Sequence, residues 1–244
     1  MEDLYRKVRE RLARAERVGV LTGAGVSAES GVPTFRGAGG LWHKFDVMKL
    51  ATPEGFREDP KKVWEFYDTR RQMMLECEPN PAHYAIAALE RQVPEFLLIT
   101  QNIDGLHARA GSKKIAEMHG SIWKVRPEDD DEPVLENREV PLKELPLYDN
   151  QGRLLRPAVV WFGEMLPESQ LAKMQNFLEF PPDVLIVAGT SSLISWVQMV
   201  IIQARQGGSF LVEVNLEETD LTHLADVTLT GKAGEVLPRL VEAE

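Results

Sequence analysis

The stretch VGVLTGAGVSAESGVPTFRG, residues 18–37, decides how the rest of the chain is read. Its first residues, Val18-Gly19-Val20-Leu21, form the short apolar run expected of a strand buried in a parallel sheet. Gly23-Ala24-Gly25 then breaks the run, and the missing side chains allow a sharp turn and a close approach of backbone to a ligand. Ala28 completes a G-x-G-x-x-[G/A] pattern, the fingerprint of a dinucleotide site at a strand-to-helix turn. Gly-rich turns after strands are common, so the flanking sequence has to discriminate.

A Rossmann dehydrogenase delivers a second strand, ending in an acidic ribose ligand, about twenty to thirty residues further on. Asp46 stands at that distance, yet GLWHKFDVMKLATPEGF has no strand pattern. The second strand is predicted only at Phe96 to Thr100. Residues 38–92 read as helical, with Val63, Phe66-Tyr67 and Met74 at helical spacing and Ala82 to Leu89 forming a further helix. The dinucleotide fold thus carries a helical insertion, and a simple dehydrogenase is disfavoured.

Further strands are predicted at Ile115 to Met118, Val184 to Ala188, Phe210 to Val214 and Val227 to Leu229. Helices are predicted at Glu168 to Leu178, Leu193 to Arg205 and Gly234 to Val241. This alternation predicts an α/β fold, a Rossmann-like parallel sheet covered by helices on both faces. Such sheets bind ligands at the carboxyl ends of their strands. Thr22-Gly23, Thr100-Gln101-Asn102, His119-Gly120, Gly189-Thr190-Ser191 and Asn215 each follow a predicted strand, so they are expected on one rim.

Composition excludes several classes. No run approaches ~18 apolar residues, so no membrane span is expected. The charged first residues place Leu4, Val8, Leu12 and Ala15 at helical spacing, which reads as an amphipathic helix rather than a signal peptide and predicts a cytoplasmic protein. The net charge of −10 disfavours nucleic acid and suits a basic peptide. Cys77 is the single cysteine, which excludes an internal disulfide and a cysteine-based zinc cluster; it reads as a plain thiol near a helix end. Residues 124–156 interrupt the alternation and read as a small lobe, whose acidic run Glu128 to Glu132 suits a solvated loop, a metal or a basic partner.

The motifs GAGVSAESGVPTFRG (23–37), TQNIDGLH (100–107), HG (119–120), VVWFGE (159–164), GTSS (189–192) and the Asn215/Glu217 pair, in this order, resemble the sirtuins, NAD-dependent protein deacylases. The resemblance implies a Rossmann-like domain (1–36, 76–123 and 157–244) with a small domain formed by two insertions (37–75 and 124–156), and acyl-lysine proteins or peptides as partners. It implies that Gly23, Ala24, Gly25, Gly189, Thr190 and Ser191 serve the pyrophosphate of NAD, Asn215 and Glu217 the adenosine ribose, and Gln101, Asn102 and Asp104 the nicotinamide end. Phe35 and Arg36 resemble residues of a loop covering the reacting ribose. His119 is implied as general base, with Asn102 beside it in catalysis; an imidazole titrates near neutral pH. Val160, Trp161, Phe162, Gly163 and Glu164 resemble a strand that pairs with the substrate backbone. His107 is expected to be a structural hydrogen-bonder, and His43, His83 and His223 surface or packing residues.

Two features set this sequence apart. Most sirtuins hold the small lobe with four cysteines on zinc, and 122–160 contains none, so no structural zinc is expected and the lobe is expected to be held by packing alone. Tyr67-x-x-Arg70, with Ala51 upstream, resembles the desuccinylase, demalonylase and deglutarylase branch. Residues at i and i+3 share a helix face, so Arg70 and the Tyr67 hydroxyl can hold a carboxylate at the acyl chain's far end. A helix salt bridge for Arg70 and a core position for Tyr67 are the alternatives.

Overall fold

The computed structural model describes residues 1–33 and 47–241. In chain order these form α1 (Glu2–Leu12), β1 (Arg17–Thr22), a 3-10 helix (Ala24–Ser30), α2 (Val47–Leu50), α3 (Pro53–Glu58), α4 (Pro60–Leu75), α5 (Pro81–Gln92) and β2 (Glu95–Thr100). There follow α6 (Leu106–Arg109), β3 (Ile115–Glu117), β4 (Gly120–Pro127), β5 (Leu135–Glu136), β6 (Leu155–Val159), α7 (Glu168–Leu178) and β7 (Val184–Ala188). The last elements are α8 (Ser195–Gln206), β8 (Phe210–Asn215), a 3-10 helix (Thr222–Leu224), β9 (Val227–Thr230), α9 (Ala233–Val236) and α10 (Pro238–Val241).

The apolar run at 18–21 lies in the middle of a parallel sheet of order β3-β2-β1-β7-β8-β9. Its four central strands, β1, β2, β7 and β8, are buried on both faces. Val18, Val20, Leu98, Ile186 and Val212 point to a core shared with α1, α5, α9 and α10. Leu21, Leu97, Ile99, Leu185 and Leu211 point the other way, to α7 and α8. This is the expected covering of a doubly wound sheet, whose crevice opens where the strand order reverses, between β1 and β7.

The helical insertion is punctuated by caps. Thr52, Asp59 and Asn80 accept from the backbone N–H of Gly55, Lys62 and Ala82, and each precedes a proline in the first turn. Cys77 is buried just past the end of α4, as expected. Three expectations shift. In α1 the buried side chains are Tyr5, Val8 and Leu12, while Leu4 is exposed. The helix predicted from Leu193 begins at Ser195. The one predicted over 234–241 divides into α9 and α10, because Pro238 has no N–H to continue the ladder.

The lobe contains a second, antiparallel sheet of order β5-β4-β6, which the sequence did not suggest. The β4–β6 register shifts between Gly120 and Val125, so no clean alternation reaches the sequence. Packing alone does not hold this lobe; α4 also ties it down with buried polar side chains. Trp64 Nε1 donates to the Leu155 carbonyl (2.8 Å), and Arg71 Nε and Nη1 donate to the Ile122 carbonyl and Asn137 Oδ1 (2.8 and 2.9 Å). Asp68 accepts from the Leu142 N–H (3.0 Å). Among the described residues no His, Cys, Asp and Glu side chains form a metal-binding group, and no helix is long and apolar enough to cross a membrane.

Candidate active site

The turns that end β1 and β7 pack directly on each other. Gly25 N donates to the Gly189 carbonyl (2.8 Å) and Gly23 N to the Ala188 carbonyl (3.1 Å). A Cβ on Gly23 would lie 2.8 Å from the Gly189 oxygen, and one on Gly25 would lie 2.8 Å from Gly189 Cα. Gly189 itself has φ +60°, and a Cβ there would meet Val26 N at 2.4 Å. The glycines are therefore demanded first by turn-on-turn contact, where the sequence suggested approach to a ligand. The helix that follows is a 3-10 helix over Ala24–Ser30.

Thr190 joins three strand ends. Its hydroxyl oxygen accepts from Gln101 Nε2 (2.9 Å) and Ser192 N (3.2 Å), and its carbonyl accepts from Asn215 Nδ2 (2.9 Å). Ser191 and Glu217 are exposed beside this joint. Gly23, Ala24, Gly25, Gln101, Gly189, Thr190, Ser191, Asn215 and Glu217 thus share the carboxyl rim at the switch point. Phe35, Arg36 and His43 lie outside the described residues.

Beneath the β1 turn lies a buried polar network. Ser27 Oγ donates to Asp104 Oδ2 (2.8 Å) and accepts from Asn102 Nδ2 (3.0 Å). The Asn80 backbone N–H donates to His83 Nδ1, which puts the His83 proton on Nε2, 3.3 Å from Ser27 Oγ. Thr22 donates to Thr100 (2.8 Å), so His107 Nε2 donates to Thr22 (3.0 Å). Burial raises the Asp104 carboxyl, lowers His83 to about 4 and lowers His107 well below the ordinary histidine value. His107 is the structural hydrogen-bonder expected. His83 is more than a packing residue, and Ser27 joins the network although its sequence position shows only a glycine-rich turn. Asn80-Pro81 marks a helix start, but nothing in the sequence says that the third residue of α5 points at Ser27.

His119 is half-buried at the end of β3. Its Nδ1 lies 3.0 Å from the Gln101 carbonyl, which only accepts, so Nδ1 carries the proton and Nε2 is the basic nitrogen. The ring stands edge-on to Trp196, with centroids 5.7 Å apart. Burial lowers its pKa, and the bond to Gln101 works in the opposite direction.

Ala51, Tyr67 and Arg70 are all buried. The Tyr67 hydroxyl accepts from Trp161 Nε1 (2.9 Å), and the Arg70 guanidinium carbon lies 5.6 Å from the centroids of both the Phe66 and Tyr67 rings. Burial lowers the Arg70 pKa, opposed by nearby Tyr67 and Asp104. Residues 160–164 are a turn rather than the expected strand. Val160 N donates to the His119 carbonyl and Phe162 N to the Ala51 carbonyl (both 3.0 Å), while Gly163 has φ +87°. Glu164 folds back onto Arg156 through two bonds (2.6 and 2.8 Å) and accepts from the Trp161 N–H (2.7 Å). A side chain expected on the substrate therefore fixes the turn itself. Phe162 remains exposed.

Known proteins resemble this chain in sequence and in fold. The model of the Sir2 family matches residues 23–195. An NAD-dependent protein deacylase of Pyrococcus furiosus is 46% identical over 95% of this chain and 94% of its own. A mitochondrial NAD-dependent protein deacylase sirtuin-5 of Xenopus tropicalis is 42% identical over 94% of this chain and 82% of its own. A solved Sir2 homolog–NAD complex superposes with a TM-score of 0.89 at 45% identity, covering 97% of this chain and 92% of that one. The chain belongs to the Sir2 family.

Proposed function

We propose that the protein is an NAD-dependent protein-lysine deacylase acting on acyl-lysine proteins or peptides, with preference for succinyl, malonyl and glutaryl groups and activity also on acetyl. The observation that carries the reading is His119, whose basic Nε2 stands on the rim shared by both glycine turns. NAD fits the donor set there: Thr190, Ser191 and the 23–25 backbone suit the pyrophosphate, Asn215 and Glu217 the adenosine ribose, and Gln101, Asn102 and Asp104 the nicotinamide end. When bound, NAD supplies the electrophilic ribose carbon that the acyl oxygen attacks, with loss of nicotinamide. Asn102, fixed by Ser27, orients this end, and His119 Nε2 takes the proton of a ribose hydroxyl. One water is consumed to release the amine, and the products are lysine, nicotinamide and O-acyl-ADP-ribose. The segments 37–75 and 124–156 form the smaller of two domains in this reading, and Phe35 and Arg36 belong to a loop over the ribose.

The acidic-acyl preference rests on Arg70 and Tyr67 with the small Ala51, all buried together. A guanidinium already desolvated gains more from a carboxylate partner than an exposed one. Incubation with NAD and acetyl-, succinyl-, malonyl- and glutaryl-lysine peptides, followed by peptide mass and nicotinamide, tests both parts. Nicotinamide release without peptide conversion would replace the deacylase with a glycohydrolase or ADP-ribosyltransferase. Arg70→Met should lower the succinyl-to-acetyl ratio of kcat/KM at least tenfold; an unchanged ratio removes the acidic preference.

A further inference from the structure

Trp161 is gripped on every side. Its backbone N–H donates to Glu164, its ring carries the Arg156 guanidinium 3.3 Å from the centroid, and Phe56 packs beside it at 5.2 Å. Its one polar side-chain atom, Nε1, donates to the Tyr67 hydroxyl at 2.9 Å. An indole N–H can only donate, so the phenol oxygen must accept. The phenol proton is then directed away from Trp161, and among the described residues no acceptor takes it. Tyr67 is buried, which disfavours ionisation, so its hydroxyl keeps the proton at neutral pH.

We infer that Trp161 is a positioning residue for acyl recognition, whose indole N–H occupies an acceptor site on Tyr67 and leaves the phenol proton to a carboxylate on the acyl chain. The inference rests on the proposed acidic-acyl reading and deepens it. The same turn bonds Ala51 through Phe162 N, so substrate turn and acyl pocket are tied at two points, one backbone and one side chain. An acetyl group has no distal carboxylate and gains nothing from the oriented proton. Trp161 therefore acts on the choice of acyl group.

Trp161→Phe keeps an aromatic ring at the buried position under Arg156 and removes the N–H together with the pyrrole part of the indole. It should lower the succinyl-to-acetyl ratio of kcat/KM about tenfold, mainly through the KM for the succinyl peptide. Made in a Tyr67→Phe background, the same change should leave that ratio where Tyr67→Phe put it. An equal loss on both substrates, with a lowered melting temperature, would assign Trp161 a structural role and overturn the inference. So would an unchanged ratio in a protein where Tyr67→Phe lowers it. If Tyr67→Phe and Arg70→Met both leave the ratio untouched, the acidic-acyl reading itself falls, and this pattern is distinct from the other two.

Discussion

His119 owes its character to two neighbours. The Gln101 carbonyl holds its proton on Nδ1, and the surrounding protein, including Trp196, removes the water that would favour its charged form. Burial outweighs the hydrogen bond, so the folded pKa lies below the ordinary 6.5. Protonation would remove the base proposed here, so kcat/KM should fall as pH drops through that lowered value and stay level from there to neutrality. A pH–rate profile checks this, and an acidic limb centred at or above 6.5 would contradict it. Gln101, Asn102 and His119 were legible because each stands just beyond a predicted strand, where the fold dictates a rim, whereas Asp104 was legible only through the TQNIDGLH motif. Ser27 and His83 were not, because their meeting is made by tertiary folding across 56 residues.

Helix α4 serves two parts of the structure with adjacent faces. Tyr67, Arg70 and Met74 form one side, and Trp64, Asp68 and Arg71, spaced i, i+4 and i+7, face the lobe. Arg71 is fully buried, and its loss would remove the side-chain donor of the Ile122 carbonyl and leave Asn137 Oδ1 with only the Glu139 N–H (3.3 Å). Arg71→Met should cost about 3 kcal/mol by chemical denaturation and speed protease cleavage within 124–156, while NAD binding persists in the native fraction. Equal stability and cleavage would show that the lobe does not depend on this tie. The insertion was readable as helix because Val63, Phe66-Tyr67 and Met74 recur at helical spacing, a local signal. The lobe's sheet was not, since its pairing is bulged and joins β4 to a strand about thirty residues away.

Across the whole molecule, the rim proposed for NAD draws on the ends of β1, β2, β7 and β8, which belong to one sheet with a core on each face. A ligand gripping all four ends binds only the folded chain. ADP-ribose at about a hundred times its Kd should therefore add about 2.7 kcal/mol of stability and raise the melting temperature by about 5–10 °C. Thermal scans with and without ADP-ribose check this; no shift would count against the NAD site. The α/β class was legible from strand–helix alternation, but the neighbour of β1 across the switch point was not, because no local pattern names a partner so remote. That remoteness matters at the ribosome. Val18 pairs with Val184, so the chain must grow by 166 residues before β1 loses its open edge. At typical elongation rates this interval lasts on the order of ten seconds. Once β2 and β3 have been made, they and β1 present an apolar parallel edge able to recruit another nascent chain, so β7, at the crevice proposed for the cofactor, is also what covers the β1 edge.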